Sequence, residues 1–328
     1  AGWKRHRKRI QRQVLHSALI GVDLGGTKVA TALISTDGEI IRRLRLDTMS
    51  EQGPETLIQR IVQSVQDAQQ GHDILGAGVA SPGPLDSDKG IVLYTPNLAG
   101  WRNVPLRDKL HEALQTEIKL ANDANAAAWG EYVFGAGRGT QNMVYITIST
   151  GIGSGLVLNG ELFVGTNTFA GELGHTIIDP NGARCGCGNI GCWEACASGT
   201  AIGRYAREAV AAGPTKMADL AREEGVPVSA KHVFEAVLLG DEAAQRIFDK
   251  AVHYLGIGLV NTIHAYNPER IVIGGGVSNA GDLLFDAIRK KTDELLMLPY
   301  RGTCDIVPAK LGNDVGVLGA AALFLGKK

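Results

Sequence analysis

The sequence lacks a long hydrophobic run and a net charge of either sign. Its longest clean apolar stretch, Val315–Leu325, contains glycines and is shorter than the ~18 residues of a membrane-spanning helix. Its 33 Lys and Arg nearly balance 34 Asp and Glu, so the formal net charge is -1. A nearly neutral chain is not built to attract nucleic acid or an anionic membrane surface. We therefore expect no membrane span and no nucleic-acid partner.

Two familiar sequence patterns are also missing. The spaced G-x-x-x-x-G-K-[ST] pattern of a Walker loop is absent, which excludes a P-loop nucleotide site. Residues 1–16 are strongly basic, but no apolar segment follows them, so they do not form a secretory signal. A nucleic-acid-binding arm and a solvated tail both fit these residues. We favour a disordered basic tail over residues 1–18, because no other part of the chain is basic.

Cysteine is scarce, and its spacing fits a metal site better than disulfide bonds. Three of the five cysteines, Cys185, Cys187 and Cys192, follow His175 in the pattern H-x9-C-x-C-x4-C. Three thiolates and one imidazole make the closed tetrahedral set that holds structural zinc, with no open position for a reacting water. The alternative is a chance cluster of free thiols. The odd cysteine count and the missing signal predict a reducing, cytoplasmic setting.

Glycine, in contrast, is abundant, at 43 of 328 residues, or about 13% against a usual ~7%. Residues 20–34 predict a strand, a tight turn and a second strand, with a turn made of Gly25, Gly26, Thr27 and Lys28. The two glycines can take positive φ and leave a bare backbone, whose N–H groups can face a phosphate. Asp23, at the end of the first strand, can hold a cation or its water. The alternative is an ordinary hairpin with a Gly-Gly turn.

The second half of the chain repeats this arrangement. Another strand leads into a glycine turn, which contains Thr150, Gly151, Gly153 and Ser154. The buried stretch Ile74–Val79 likewise resembles Ile271–Val277, since each runs into glycine. Two such turns, one in each half, would clamp a phosphate chain from both sides. We therefore predict a duplicated α/β unit, with two lobes and a cleft between them.

The length of the chain also suggests about two domains. We expect a small α/β lobe over residues 19–121. The helix at residues 314–326 is expected to pack back on it. A large α/β lobe would take residues 122–313 and contain the zinc loop, residues 175–192.

Asn122 and Asp123 open an alanine-rich helix in the predicted second lobe. Asp123 fits a helix N-cap, a role that Asp performs well. It also fits a general base at a helix end in the interlobe cleft. The two roles can coexist, or Asn122 can take the cap.

Two glutamates flank the cysteine motif. Glu172 lies three residues before His175, and Glu194 lies two residues after Cys192. The four predicted ligands already complete a zinc site, so both carboxylates are free to bind sugar hydroxyls. His175 can bind zinc with one ring nitrogen and a hydroxyl with the other. The alternative is that the two glutamates orient the metal ligands.

Four motifs follow one another along the chain: Asp23–Lys28, Asn122-Asp123, Gly171–His175 and Cys185–Glu194. Together they resemble the ROK family of repressors and sugar kinases. The resemblance covers residues 19–326, and the cysteine motif with its flanking Glu and His is its most specific part. The stretch Pro96–Trp101 is similar to the branch of bacterial glucokinases.

The resemblance implies a duplicated actin-like (ribonuclease-H-like) fold with ATP and sugar in the cleft. Asp123 would be the general base on a sugar hydroxyl, the 6-hydroxyl, and Asp23 would organise Mg²⁺ or its waters. The sugar would be held by Gly83, Asn97, Asn122, Asp123, Glu172, His175 and Glu194. The phosphates would face Gly25–Lys28 and Thr150–Ser154, and Gly275 and Gly276 would line the adenosine. A homodimer or homotetramer is also implied.

Three functions therefore stay open at the level of sequence. The first is an ATP-dependent kinase for the 6-hydroxyl of glucose, braced by structural zinc. The second is a kinase for N-acetylmannosamine, N-acetylglucosamine, fructose or mannose, because the sequence does not give the geometry around the 2-position. The third is a sugar-responsive transcription repressor, which would need a winged helix-turn-helix of about 60 residues or more before the kinase-like part.

Overall fold

A computed structural model of the chain describes residues 18–95 and 97–326, which form two compact units. The first unit takes the chain up to Gly139, Gly160–Ala170 and the residues from Lys310 onward. The second unit takes Thr140–Asn159 and Gly171–Ala309. The predicted basic tail lies outside the described residues, except for Ala18, which begins the first strand.

The described residues contain thirteen strands. In chain order they are β1 (Ala18–Leu24), β2 (Lys28–Ser35), β3 (Ile40–Asp47), β4 (Ile74–Ser81), β5 (Leu85–Asp86), β6 (Ile91–Tyr94), β7 (Arg102–Val104), β8 (Ile118–Asn122), β9 (Met143–Ile148), β10 (Ile152–Leu158), β11 (Glu161–Phe163), β12 (Arg270–Gly274) and β13 (Asp305–Pro308). The strands β9, β10, β12 and β13 belong to the second unit.

Ten α-helices lie in the same described residues. In chain order they are α1 (Gly53–Gln69), α2 (Leu106–Leu114), α3 (Asp123–Phe134), α4 (Trp193–Ala197), α5 (Gly199–Ala212), α6 (Lys216–Glu224), α7 (Ala230–Leu238), α8 (Glu242–Tyr266), α9 (Asp282–Leu295) and α10 (Val315–Ala322). The helices α1, α2, α3 and α10 belong to the first unit, and the other six belong to the second.

The main sheet of the first unit has the strand order β3-β2-β1-β4-β8. The strand β1 pairs antiparallel with β2 and parallel with β4, which pairs parallel with β8. Ile20 and Val22 of β1 share a core cluster with Leu57 of α1, whereas Leu19 shares one with Val317 of α10. Helices therefore cover both faces of β1, which explains its near-continuous apolar sequence.

The sheet of the second unit repeats this topology. The strands of this sheet that belong to the second unit have the order β10-β9-β12-β13, with β9 antiparallel to β10 and parallel to β12, and β12 parallel to β13. The strands β4 and β12, whose sequences resemble each other, occupy the same place in the two sheets. The predicted duplicated α/β fold is therefore confirmed.

A small sheet in the first unit has the order β5-β6-β7. Its strands are two to four residues long. Strands this short carry no periodic signal, so sequence patterns do not predict them. The loop after β6 leads to Trp101, which is 2% exposed and joins the core cluster of this unit.

Helix α10 lies directly against the backbone of two strands. A Cβ atom added to Gly21 would fall 1.9 Å from the Val317 carbonyl oxygen, and one added to Gly78 would fall 1.8 Å from that of Ala320. No side chain larger than hydrogen fits at either position. The helix also meets α3, since a Cβ on Gly130 would lie 2.7 Å from the Gly319 Cα atom.

The contact between α3 and α10 explains where the first unit ends. The sequence predicts a boundary between residues 121 and 122, whereas the first unit keeps α3 and continues to Gly139. Both helices approach through glycine, and Gly319 would clash with the Ala126 carbonyl if it carried a Cβ atom. Such a long-range fit has no local sequence signature.

Glu131, near the end of α3, is fully buried and is bound by backbone amides. Its Oε2 atom accepts a hydrogen bond of 2.8 Å from the Ala136 amide. Its Oε1 atom accepts hydrogen bonds of 2.9 Å from the amides of Lys310 and Leu311, where the chain returns to the first unit. Buried polar atoms need hydrogen-bond partners, and these amides supply them. Glu131 therefore fastens the returning chain to α3.

No helix within residues 18–95 and 97–326 combines the length and the apolar character that crossing a membrane requires.

The close contact at Gly78 predicts a large loss of stability for Gly78→Ala. The added methyl group would collide with a backbone carbonyl that cannot move alone, so the free energy of unfolding should fall by about 1–3 kcal/mol. Urea denaturation followed by circular dichroism measures this change. Gly213→Ala is the control, because Gly213 has extended backbone and no atom within 4 Å of an added Cβ. Equal stability of the two variants would contradict the proposed packing.

Candidate functional site

The carboxyl ends of three parallel strands form one edge of the first unit's sheet. Asp23 in β1 lies in register with Ala80 in β4, and Ala80 lies in register with Ala121 in β8. One residue further, Ser81 pairs with Asn122. Ligand sites of open α/β sheets lie at this edge. The structure therefore brings the predicted residues Asp23 and Asn122 to the same edge.

The helix α3 begins directly at this edge, and Asn122 caps it. The Asn122 side chain accepts a hydrogen bond of 2.8 Å from the Asn125 amide, which is the geometry of an N-cap. Asp123 is the first helical residue, and its Oδ1 atom accepts from the Ala124 amide at 2.8 Å. The cap is therefore Asn122 and not Asp123. The Asp123 side chain stays exposed, so its carboxylate is available to act on a ligand.

The two carboxylates at this edge have raised pKa values. Desolvation by the surrounding protein raises the pKa of Asp123, although its side chain remains exposed. Burial and the charge of Asp123 raise the pKa of Asp23 to about 6, against an opposing effect of Arg45. Each carboxylate therefore binds a proton more readily than an ordinary aspartate. Perturbed carboxylates in close company are typical of functional sites.

The predicted hairpin tip lies beside the same sheet and is held by Thr48. The Gly25 amide donates to the Lys28 carbonyl at 2.9 Å, which closes the turn. The buried Thr48 donates its hydroxyl to the Gly25 carbonyl at 2.8 Å and its amide to the Thr27 carbonyl at 2.9 Å. The turn is thus fixed before any ligand binds.

The glycines of this turn are needed for space and not for positive φ. Neither Gly25 nor Gly26 has a φ in the left-handed region, so the turn does not use the positive φ that glycine allows. A Cβ on Gly25 would lie 2.8 Å from the Lys28 carbonyl oxygen, and one on Gly26 would lie 3.1 Å from the Asn97 Cβ atom. Asn97, a predicted sugar ligand, therefore lies next to the hairpin tip.

Lys28 and Gly83 complete the predicted residues of the first unit. Lys28 pairs with the carboxylate of Asp47, and both side chains are mostly exposed. A phosphate that bound Lys28 would share its ammonium group with this carboxylate or displace it. Gly83 follows β4 by two residues and has a φ of 139°, which few other residues adopt.

The second unit has a similar edge. The predicted glycine turn follows β9, and the predicted Gly275 follows β12, which lies parallel to β9. Gly275 has a φ of 87°, and a Cβ atom there would fall 2.4 Å from the Ile148 carbonyl oxygen. Gly276 is exposed and has no atom within 4 Å of an added Cβ. Bare backbone therefore lies next to the turn that contains the exposed Thr150 and the half-buried Gly153.

Two side chains that the sequence analysis assigns to ligands make internal contacts with this turn. The Glu194 carboxylate accepts a hydrogen bond of 2.8 Å from the Ile152 amide, and a Cβ on Gly151 would lie 2.2 Å from the same carboxylate. The buried Ser154 donates its hydroxyl to the Gly171 carbonyl and accepts from the Leu173 amide at 3.2 Å. The Ser154 hydroxyl is thus occupied within the protein, which the sequence pattern does not reveal.

The four side chains of the Cys3His cluster converge closely enough to hold a metal ion. The four ligand atoms of His175, Cys185, Cys187 and Cys192 all lie within 4.8 Å of one another. The His175 Nδ1 and Cys185 Sγ atoms are 3.6 Å apart, as are the Sγ atoms of Cys187 and Cys192. Zinc bonds of about 2.0–2.3 Å in a tetrahedron require edges of about 3.3–3.8 Å, which these two distances match. The residues present therefore fit zinc.

The Cys3His cluster and the two flanking glutamates lie on or beside short helical segments. His175 ends a 3₁₀ turn, Leu173–His175, whose preceding residue is the exposed Glu172. Cys192 precedes α4, in which Glu194 is the second residue. Trp193, fully buried, anchors α4 against α8, because a Cβ on Gly258 would lie 2.0 Å from its ring. Both flanks of the cluster are thus tied to the core.

Sequence reasoning missed two residues that shape the first unit's edge. Thr48 holds the hairpin tip, but it lies after β3 and far from the motif in sequence. Gly316, in the first turn of α10, lets the helix approach Asp23, because a Cβ there would fall 2.2 Å from the Asp23 Oδ2 atom. The spacing of Gly316 and Gly319 is the one local signal, since residues three apart share a helix face.

The raised pKa of Asp23 predicts a pH-dependent effect of Asp23→Asn on stability. In the wild type, Asp23 loses its proton near pH 3.8 in the unfolded state and near pH 6 in the folded state. The free energy of unfolding therefore falls as the pH rises between these values. The Asn variant has no such loss. Its free energy of unfolding, relative to the wild type, should therefore rise by about 2 kcal/mol between pH 4.5 and pH 7.5.

Urea denaturation in EDTA at the two pH values measures this difference. Asp37→Asn, at an exposed position, controls for the loss of one negative charge. A difference between Asp23→Asn and the wild type that does not change with pH would contradict the raised pKa.

The chain has close relatives of known family. The sequence profile of the ROK family matches residues 19–327. A glucokinase of Thermotoga maritima is 41% identical over 306 residues, which cover 93% of this chain and 96% of the relative. The xylose repressor of Bacillus subtilis is 30% identical over 93% of this chain and 76% of its own length.

Solved structures agree with this assignment. A ROK family glucokinase from Streptomyces griseus, solved in complex with glucose and AMPPNP, is similar to this chain with a TM-score of 0.79. It is 37% identical, over 94% of this chain and 99% of the other. By its sequence profile and by these relatives, the chain belongs to the ROK family.

Proposed function

We propose that this protein is an ATP-dependent kinase that phosphorylates the 6-hydroxyl of glucose. The observation that carries the proposal is the arrangement at Asn122 and Asp123. Asn122 caps the helix, so the Asp123 carboxylate with its raised pKa is available as a base. The similarity to glucokinases over nearly the whole chain supports glucose and ATP as the substrates.

Phosphoryl transfer needs positioning, neutralisation of charge and a group that accepts the hydroxyl proton. Asp123 takes the last role. Its carboxylate accepts the proton of the 6-hydroxyl as the sugar oxygen attacks the γ-phosphorus atom of ATP, and the bond to the β-phosphate oxygen breaks. ADP leaves with the electron pair of that bond. A raised pKa makes Asp123 a better proton acceptor than an ordinary aspartate.

The two glycine turns are the proposed phosphate sites. Gly25, Gly26, Thr27 and Lys28 in the first unit and Thr150, Gly151, Gly153 and Ser154 in the second offer backbone N–H groups to the phosphates. Because the Ser154 hydroxyl is already bonded to Gly171, its contribution comes from the backbone. Gly275 and Gly276 give the adenosine an approach without side chains.

The proposed sugar ligands are Gly83, Asn97, Asn122, Asp123, Glu172, His175 and Glu194. One carboxylate oxygen of Glu194 accepts a hydrogen bond from the Ile152 amide, which leaves the other oxygen for a sugar hydroxyl. The His175 Nδ1 atom lies at the metal cluster, so its Nε2 atom is available for a hydroxyl.

Two metal ions are part of the proposal. Asp23 would hold Mg²⁺ or its water shell, and a partly buried carboxylate beside a second one suits a cation. When bound, Mg²⁺ would neutralise negative charge on the phosphates. His175, Cys185, Cys187 and Cys192 would hold zinc, which supplies structural bracing and no reacting water. A cytoplasmic location and a homodimer or homotetramer also stay predictions.

The proposed activity predicts which sugar stimulates ATP consumption most. In a coupled ADP-release assay over glucose, mannose, fructose, N-acetylmannosamine and N-acetylglucosamine, glucose should give the highest kcat/KM. A higher value for another sugar would overturn the choice of glucose. A sugar-responsive repressor is the alternative from another class, and specific DNA binding at physiological salt would favour it.

Asp123→Asn tests the base. Asparagine keeps the shape but cannot take the proton, so kcat should fall by about 10²- to 10⁴-fold with little change in the glucose dissociation constant. In the wild type, the acid limb of the kcat/KM profile should lie above the ordinary aspartate range, because the Asp123 pKa is raised. Asp108→Asn, at another aspartate in a first helical turn, serves as the control. A folded Asp123→Asn protein with a near wild-type rate would rule out this base.

The Cys3His cluster predicts about one zinc ion per chain by elemental analysis. Cys187→Ser should lower the zinc content and the melting temperature, because binding of a structural metal contributes to folding free energy. Cys304→Ser, outside the cluster, should change neither the zinc content nor the effect of a chelator. A metal-free wild type that is fully active would argue against structural zinc.

A further inference from the structure

The flanks of the Cys3His loop, residues 175–192, hold the glycine turn of the second unit. The turn, residues 149–154, connects β9 with the start of β10. On the N-terminal side of the loop, the Ser154 hydroxyl bonds the Gly171 carbonyl and the Leu173 amide. On the C-terminal side, the Glu194 carboxylate accepts from the Ile152 amide at 2.8 Å.

Close packing of the flanks against the turn accompanies both contacts. A Cβ on Gly174 would lie 2.1 Å from the Ile152 carbonyl oxygen, so the segment before His175 touches the strand backbone directly. A Cβ on Gly151 would lie 2.2 Å from the Glu194 carboxylate. Ser154 is only 5% exposed, so its two hydrogen bonds have little competition from water. Replacing it would leave the Leu173 amide without its partner.

A metal bound at the Cys3His cluster would link the two flanks through its ligand bonds. His175 closes the N-terminal flank and Cys192 opens the C-terminal one, and both belong to the same cluster of ligand atoms. Between the flanks, the Trp193 amide also donates to the Thr176 carbonyl at 2.9 Å. A metal that binds both His175 and Cys192 would therefore fix the distance between the two flanks, which hydrogen-bond to the turn.

We propose that Ser154 and Glu194 are positioning residues through which the metal-bound Cys3His loop holds the glycine turn, residues 149–154, in its phosphate-facing shape. The loop then supports the nucleotide side of the reaction as well as the sugar ligands on its flanks. That the turn faces a phosphate rests on the proposed function, whereas the mechanical link between loop and turn does not.

Hydrogen–deuterium exchange of the full chain, without sugar or nucleotide, tests the link. Removing the metal with a chelator should speed exchange in residues 150–156 by about tenfold or more, because the Ile152 amide loses a fixed acceptor. Glu194→Ala should do the same while the metal stays bound. Unchanged exchange in this segment after metal removal, or in Glu194→Ala, would overturn the proposal.

Ser154→Ala tests the other contact with a matched control. With metal content unchanged by elemental analysis, exchange should rise in residues 150–156 and 171–175. The control, Thr215→Ala, removes a similarly buried hydroxyl that caps α6 through the Ala218 amide, and exchange in both segments should stay at the wild-type level. Wild-type exchange in the Ser154 variant, or an equal rise in the control, would refute the positioning role.

Nucleotide titration separates this inference from the proposed function. The dissociation constant of AMPPNP should rise about threefold or more in Ser154→Ala and stay unchanged in Thr215→Ala. If the wild type does not bind AMPPNP at all, the proposed function fails, and the exchange results still decide the link. If the wild type binds AMPPNP but Ser154→Ala binds it equally well, the turn does not depend on Ser154 for its ligand.

Discussion

Helix α10 lies directly on the backbone of β1 and β4, and the candidate site of the first unit depends on this contact. Glycine at positions 21 and 78 lets the helix carbonyls approach the strands. The same helix meets α3, which begins with Asp123, and it reaches the Asp23 carboxylate through Gly316. One helix near the end of the chain therefore positions both carboxylates. Their mutual charge effect on the pKa of Asp23 follows from that proximity.

Glycine is required for the same physical reason in the two predicted turns. Gly25 and Gly151 lie in the two predicted turns, and neither has a left-handed φ. Each is required because a Cβ would meet a carbonyl or a carboxylate at less than 3 Å. Space, and not backbone conformation, is what these positions demand. Gly275 differs, since it has positive φ and a close carbonyl neighbour at once.

Side chains that are expected to bind ligands also hydrogen-bond to the backbone of the protein. Ser154 and Glu194 bind backbone groups around the second glycine turn, and Thr48 does the same for the first turn. A turn that is held in advance loses little conformational freedom when a ligand binds, which favours binding. Preorganisation of this kind is a general need of phosphoryl transfer, where positioning and charge dominate.

The sequence by itself determined the elements that carry strong local signals. Gly-rich turns after apolar strands, the Asn-Asp helix start and the H-x9-C-x-C-x4-C spacing each reflect chemistry within a short stretch, and the duplicated sheet follows from their repetition. Only the tertiary structure decided that Asn122 takes the cap, that Ser154 bonds to Gly171, and that α3 belongs with α10. These outcomes depend on groups that are distant in sequence or on a choice between neighbouring donors and acceptors. Local patterns cannot rank such contacts, because their free energy comes from packing that exists only in the folded chain.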